Sequence, residues 1–322
     1  MAHAIKVREH GGPEVLHWEE VPVPDPRAGE ARIRQRTIGV NFIDVYQRNG
    51  LYPLSLPAVL GNEGAGVVEA VGPGVTDVAV GDRVAYAGLP GAYAEERTVP
   101  AERLVKLPDE ISDDVAAAIM LKGMTAEYLL RRTHRVSPGE TIVFHAAAGG
   151  VGQIACQWAK ALGATVIGTV GSDAKVEVAR RHGCDHVLIT GPDLASRVRQ
   201  LTGGVGADVA YDGVGKDTWD ASLDCLRPRG MLVSFGNASG PVPTFQPLVL
   251  TTKGSLFLTR PSLVHYVATR EELVASAGAV FEVIRSGAVR IDIRHRYPLS
   301  EAARAHADLE GRRTVGPVVL TP

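Results

Sequence analysis

The chain has 322 residues and a formal net charge of −2, with acidic and basic residues interspersed. That length suits about two domains, each with a core of its own, and the balanced charge offers no field for nucleic acid or an anionic membrane. Met1–Lys6 contains no apolar stretch of signal-peptide length, no apolar run approaches a membrane span, and three sparse cysteines without a C-x-x-C pair lead to the expectation of a reducing cytoplasm.

In chain order, residues 4–108 read as β-rich. Runs at 4–8, 16–21, 31–40, 66–71 and 82–86 alternate or are β-branched, and proline and glycine clusters at 22–26, 72–74 and 80–82 punctuate them. No helix alternates with these strands, which predicts an antiparallel or barrel-like unit. One helical piece intrudes at 41–50, with Asn41 as N-cap and Gly50 as stop. Two further helices, at 112–121 and 125–132, are expected on either side of Gly123, with Ser112 capping the first and the domain crossing placed between them.

From Thr141 the pattern becomes strand–helix repeated. Strands are expected at 141–145, 165–170, 186–190, 207–212, 231–235 and 255–259, with helical spacing at 151–162, 173–182, 193–201 and 216–226. This predicts an α/β domain with a doubly wound, six-stranded parallel Rossmann sheet. The tail reads as helix at 271–286, strand at 290–297, helix at 300–310 and strand at 316–320, and is expected to return to the first domain. The expected division is therefore 1–124, 125–262 and 263–322.

The stretch Thr141–Gly163 carries the sharpest chemistry. A short apolar strand runs into the small-residue turn Ala146–Gly152, and from Val151 apolar residues recur at helical spacing. Free N–H groups and the positive end of a helix dipole meet there, an arrangement that binds pyrophosphate. Gly149 and Gly152 match the second and third glycines of G-x-G-x-x-G, and Ala147 stands in place of the first. Ten histidines raise the question of a metal. His3, His10 and His17 recur every seven residues but not on one helix, no H-x-x-x-H or Cys/His/Asp cluster appears, and the reading is scattered surface histidines with no metal.

Several of these segments together resemble the medium-chain dehydrogenase/reductase superfamily, in its zinc-free quinone oxidoreductase (ζ-crystallin-like) branch. The resemblance runs nearly end to end, through Gly39–Asp44, Gly81–Val84, Leu121–Thr125, Phe144–Gly152, Gly168–Gly171, Tyr211–Gly215, Ser234–Asn237 and Thr259–Ser262. It implies a GroES-like, β-barrel-type catalytic domain built from both termini, a central dinucleotide-binding domain and a homodimer, with Ser255–Thr259 the candidate for edge pairing. Zinc-dependent relatives have cysteine where Asn41 stands and histidine where Asn62 stands, and neither amide is a good zinc ligand. Oxidising an alcohol needs help in removing its proton, which zinc gives as a Lewis acid. A quinone or conjugated enone is already electrophilic and forms a phenol- or enol-like product, with a phenol pKa of about 10, so the reading favours an activated carbonyl acceptor.

The cofactor the resemblance implies is NADPH (NADP+). Gly149, Gly150, Val151 and Gly152 would offer N–H groups to its pyrophosphate. NAD enzymes place an acid at the end of the second strand, about 20 residues past the glycines. Here that end is Thr169–Ser172, including Gly171, with Lys175 one turn on. Small residues and a lysine suit a 2′-phosphate, although Asp173 opposes it. Arg312 matches a tail residue that approaches the phosphate in the family, and Thr190 stands where the family tends to have tyrosine. Around the nicotinamide the resemblance implies Asn41, Tyr46, Thr125, Phe235, Gly236, Asn237 and Leu258, and Gly213 and Val214 are further cofactor-binding candidates. Tyr46 is the candidate proton donor, and Asn41, Tyr52 and Arg260 complete the catalytic set. Asn41 reads equally as a helix cap.

The expected activity is metal-free, NADPH-dependent reduction of quinones. An alternative is reduction of the C=C bond of enals, enones or enoyl thioesters. A non-enzymatic alternative is a crystallin-like nucleotide- or RNA-binding role, which the absence of a basic–aromatic patch disfavours. The expected partners are a small-molecule acceptor and a second copy of the chain, without nucleic acid or membrane.

Overall fold

The computed structural model describes residues 1–322. In chain order the elements are β1 (Ala2–Val7), β2 (His17–Val21), β3 (Glu30–Val40), α1 (Phe42–Arg48), β4 (Ala58–Val59), β5 (Glu63–Val71), β6 (Arg83–Ala87), β7 (Glu96–Pro100), β8 (Val105–Lys106) and α2 (Asp113–Tyr128). There follow β9 (Thr141–Phe144), α3 (Gly150–Ala161), β10 (Thr165–Val170), α4 (Val176–Arg181), β11 (His186–Ile189), α5 (Leu194–Leu201), β12 (Ala207–Asp212), α6 (Trp219–Asp224) and β13 (Leu226–Ser234). The last are α7 (Leu248–Thr252), β14 (Phe257–Thr259), α8 (Arg270–Arg285), β15 (His295–Pro298), α9 (Ala302–Glu310) and β16 (Val318–Thr321).

The chain divides into two compact units. The first comprises Met1–Met124, Val267–Arg285 and Ile291–Pro322, and the second Thr125–Tyr266 and Ser286–Arg290. In the first, β3 is the organising strand: it pairs with β5, β7 and β16, all antiparallel, in a sheet ordered β15-β16-β3-β5-β6-β8 with β7 alongside β3. Over residues 31–36 its sequence alternates, with Ala31 and Ile33 wholly buried and Arg34 and Arg36 outward, so one face packs on the core and the other meets water. That core gathers Ile5, Ile33, Leu60, Tyr86, Tyr93 and Leu104. A second sheet, β2-β1-β4, completes the unit.

The second unit is a six-stranded parallel sheet in the order β11-β10-β9-β12-β13-β14. Ile142, Val143 and Phe144 of β9 are all buried, as a strand covered on both faces requires. The strand order reverses between β9 and β12, and the connections from β9 leave in one direction and those from β12 in the other. Open α/β sheets bind ligands at that reversal, beyond the carboxyl ends of the strands.

Several expectations are corrected in detail. Gly123 does not separate two helices; α2 runs through it from Asp113 to Tyr128 and then widens into a π-helical turn at Leu129–Thr133. The glycine is there for close approach, since a Cβ would stand 2.6 Å from Val280 Cγ1 of α8. The run 173–182 is a 3₁₀ turn at Asp173–Lys175 followed by the shorter α4. The short strands β4, β7 and β8 and the helix α7 carried too few residues to show a period. The histidines are not all at the surface: His145, His182 and His306 are buried.

Candidate active site

The second unit supplies a nucleotide cradle. β9 ends at Phe144, His145 continues the β9–β12 pairing by donating its N–H to Tyr211 O at 3.0 Å, and Ala146 adopts φ 53°, a left-handed turn that an alanine adopts at a cost. Gly149, in extended conformation, is the N-cap of α3. The N–H groups of Gly150, Val151 and Gly152 then lie in the first helical turn, where no carbonyl four residues back is available to accept them. Gly152 is demanded by packing, since a Cβ there would stand 2.7 Å from both Ala147 Cα and Ala147 O. Helix and turn lie this close only without a side chain, as the third glycine of the fingerprint predicts. These residues fit a pyrophosphate.

The loop after β10 fits a phosphorylated ribose. β10 ends at Val170, and Gly171 and Ser172 follow, exposed, with open space where a Gly171 side chain would be. Asp173 and Lys175 occupy the 3₁₀ turn, with Lys175 half-buried. Thr190 follows β11 and bonds its N–H to Val170 O at 2.9 Å. Arg312 belongs to the first unit, just past α9, exposed and at φ 57°.

The turns after β12 and β13 form one packed block. Phe235 N–H donates to Asp212 O at 2.8 Å, and the Phe235 ring lies against Gly213. Ala238 and Ser239 N–H donate to Gly213 O and Val214 O at 3.2 and 2.8 Å. Arg260, just past β14, donates to Gly236 O at 3.1 Å and Ser234 Oγ at 3.3 Å, and the Asn237 amide oxygen accepts from its Nη2 at 3.0 Å. The guanidinium thus holds the 234–237 loop. Leu258 lies one strand over, paired with Leu232. Thr125 opens the second unit, buried within α2.

Beneath this block lies a buried polar network. Asp212 Oδ1 accepts the N–H groups of Val214 and Gly215 at 2.8 and 2.9 Å, and Oδ2 accepts the hydroxyls of Thr218 and Ser222 at 2.7 and 2.6 Å. Ser222 Oγ also meets His145 Nε2 at 2.9 Å, and His145 Nδ1 meets Thr169 Oγ1 at 2.9 Å. Because the Ser222 proton goes to Asp212, Ser222 can only accept from His145, which fixes the proton on Nε2 and leaves Nδ1 to accept from Thr169. Burial holds the His145 pKa below its usual value, and the ring is neutral.

The first unit carries the other expected residues on and around α1. Asn41 is the N-cap, and the Asp44 carboxylate returns to its N–H at 2.8 Å. The Asn41 amide donates to Glu63 Oε2 at 2.8 Å. Tyr46, buried, stands with its ring centroid 5.0 Å from Tyr52 and 6.0 Å from Phe42. Asn62 donates to Asp44 and to Gln47, each at 2.7 Å. The structure thus brings Asn41, Tyr46 and Tyr52 together in one unit and gathers the glycine turn, Gly213, Val214, Phe235, Gly236, Asn237 and Arg260 in the other.

The chain matches two family descriptions, "Alcohol dehydrogenase GroES-like domain" over residues 27–109 and "Zinc-binding dehydrogenase" over residues 150–275. A quinone oxidoreductase of Pseudomonas aeruginosa is 54% identical, with all of both chains covered. The chain belongs to the quinone oxidoreductase family of medium-chain dehydrogenases/reductases. Another relative, a 2-haloacrylate reductase of Burkholderia, is 48% identical across all of this chain and 99% of its own. The solved structure of Escherichia coli quinone oxidoreductase complexed with NADPH is 49% identical, superposes with a TM-score of 0.97 and covers both chains fully. The zinc in the description of one matching family does not fit this member. Asn41 donates to the Glu63 carboxylate and Asn62 to the Asp44 carboxylate and the Gln47 amide oxygen, and no three His, Cys, Asp or Glu side chains are grouped to hold an ion.

Sequence reasoning assigned no role to His145, Asp212, Ser222, Lys122 or Asp44. Segments containing Asp44, Lys122, His145 and Asp212 carried the family resemblance, which was the only signal available. Nothing in the spacing of residues 145, 169, 212 and 222 announces a shared network.

Proposed function

We propose that this quinone oxidoreductase family member catalyses metal-free, NADPH-dependent reduction of quinones. The observation that carries the reading is the β9–turn–α3 unit, whose first-turn N–H groups sit where the parallel strand order reverses. Full-length identity to named quinone oxidoreductases supports the choice of acceptor. NADPH, when bound, supplies the hydride.

The N–H groups of Gly150, Val151 and Gly152 receive the pyrophosphate, and Gly149, whose own N–H donates to Ala146 O at 2.8 Å, caps the helix that presents them. Gly171, Ser172, Lys175, Thr190 and Arg312 serve the 2′-phosphate end, where no carboxylate terminates β10. Gly213, Val214, Phe235, Gly236, Asn237, Leu258 and Thr125 bound the nicotinamide, with Asn41. Tyr46 donates the proton to the acceptor oxygen, and Tyr52 and Arg260 orient it. Residues 1–124 and 263–322 form the catalytic domain and 125–262 the nucleotide domain. The chain acts in the cytoplasm as a homodimer paired along β14, an edge strand whose Phe257 is 57% exposed.

NADPH oxidation by the purified chain, assayed with 9,10-phenanthrenequinone and a benzoquinone, tests the reading, and no turnover with either sinks it. A second reading, reduction of a C=C bond conjugated to a carbonyl group, draws on the relative named a 2-haloacrylate reductase. Turnover of 2-haloacrylate or 2-alkenals without quinone turnover would favour it.

A further inference from the structure

We propose that Asp212 is a positioning residue for the nucleotide, locking the turns that follow β9 and β12 into one frame at the point where the strand order reverses. The inference rests on the cofactor reading above and adds the group that fixes the geometry of the cradle.

Three observations carry it. First, the Asp212 carboxylate accepts four hydrogen bonds between 2.6 and 2.9 Å, two on each oxygen. That uses its whole acceptor capacity, so it has none left for a substrate and acts through others. Second, the network that begins at Asp212 crosses the reversal. Val214 and Gly215 belong to the turn after β12, while Ser222 passes the connection to His145, the first residue after β9, and His145 passes it to Thr169 near the end of β10. Three strands are joined at their carboxyl ends by side chains as well as by the backbone ladder. Third, the network is buried, with Asp212, His145, Thr169 and Ser222 each at most 1% exposed. In a low-dielectric interior such bonds resist competition from water, and a fully satisfied network is rigid.

The consequence is geometric. The left-handed turn at Ala146, which leads into the first turn of α3, is anchored on one side by His145 and on the other by the Ala147 N–H bond to Thr169 O at 2.9 Å. Releasing Asp212 frees the 213–215 turn directly and the 145–148 turn through Ser222.

The test uses the whole chain with Asp212→Ala, Asp212→Asn and Ser222→Ala. NADPH affinity is read by nucleotide fluorescence titration, with kcat, the KM for NADPH, the KM for the quinone and the melting temperature measured alongside. Asp212→Ala is expected to raise the Kd and KM for NADPH by about tenfold or more while leaving the quinone KM at the parent value. Asp212→Asn, which keeps an oxygen toward Val214 and Gly215, recovers most of that loss, and Ser222→Ala shows part of it. Asp212→Ala protein that melts earlier yet binds NADPH as the parent does overturns the proposal. If Asp212→Ala fails to fold, parental NADPH affinity in both other variants overturns it equally. A parent chain without affinity for NADPH overturns the cofactor reading and this one with it, whereas a parent that binds and variants that match it overturn this one alone.

Discussion

Lys122 donates to Glu63 Oε2 at 2.9 Å with both side chains almost wholly out of water. Glu63 also accepts the Asn41 amide at 2.8 Å and the Leu121 N–H at 2.7 Å, so the start of α1 and the middle of α2 are tied through one carboxylate. Removing one member of a buried pair strands the other, at a cost of about 3–5 kcal/mol. Lys122→Met is therefore expected to lower the denaturant midpoint sharply, and adding Glu63→Gln is expected to restore part of it. Parental stability in Lys122→Met would show that the pair holds nothing.

Two buried groups in the first unit oppose each other in their pH dependence. Loss of solvation pushes Asp44 up to about 6 from 3.8, against the bonds from Asn62, Asn41 N–H and Tyr93. Burial, with Arg48 alongside, pushes His306 down to about 3 from 6.5. Between those two Asp44 values the folded chain holds a proton that the unfolded chain has released, so this group's contribution to stability falls as pH rises. Between the two His306 values the unfolded chain holds the extra proton, so its contribution rises with pH. Asp44→Asn should steepen the rise of stability between about pH 4 and 6, by about 3 kcal/mol across the window. His306→Gln should flatten it. Unfolding free energies measured across that range check both signs, and a flatter profile in Asp44→Asn would refute the assignment.

Gly123 gives a contest between two magnitudes. Alanine is favoured over glycine inside a helix by about 1 kcal/mol, but here its methyl would stand 2.6 Å from Val280 Cγ1. Overpacking of this kind costs about 1–3 kcal/mol. Gly123→Ala is expected to destabilise, and the double change with Val280→Ala to recover the loss. A Gly123→Ala chain that melts later than the parent would mean that α8 yields freely.

At Gly152 the same reasoning concerns binding. A methyl 2.7 Å from Ala147 Cα and Ala147 O displaces the turn from the helix. Gly152→Ala should weaken NADPH about tenfold or more, since the N–H groups no longer converge. Nucleotide titration reads it directly, and unchanged affinity would place the pyrophosphate elsewhere.

Tyr46→Phe removes a hydroxyl and little else. If that hydroxyl protonates the acceptor oxygen, kcat with a quinone should fall by about a hundredfold, with NADPH affinity kept. Rates matching the parent would leave protonation to water.

The sequence alone determined the two kinds of sheet and the nucleotide turn. Alternation in 31–40, unbroken apolar runs in 141–144 and 165–170, and a glycine turn running into a 3.6-residue period are local signals, each set by neighbours in the chain. Tertiary structure decided what distant residues do for one another. Gly123 looked like a break because its packing partner is Val280, more than 150 residues away in the chain. Asn41 was legible as a helix cap, but its acceptor, Glu63, was not, because it arrives at the start of β5, 22 residues on. His145 looked like one surface histidine among ten because its partners at 169 and 222 meet it only when the parallel strands are laid side by side. Periodicity records which way a side chain faces; the donor or acceptor it finds there depends on the path of the rest of the chain.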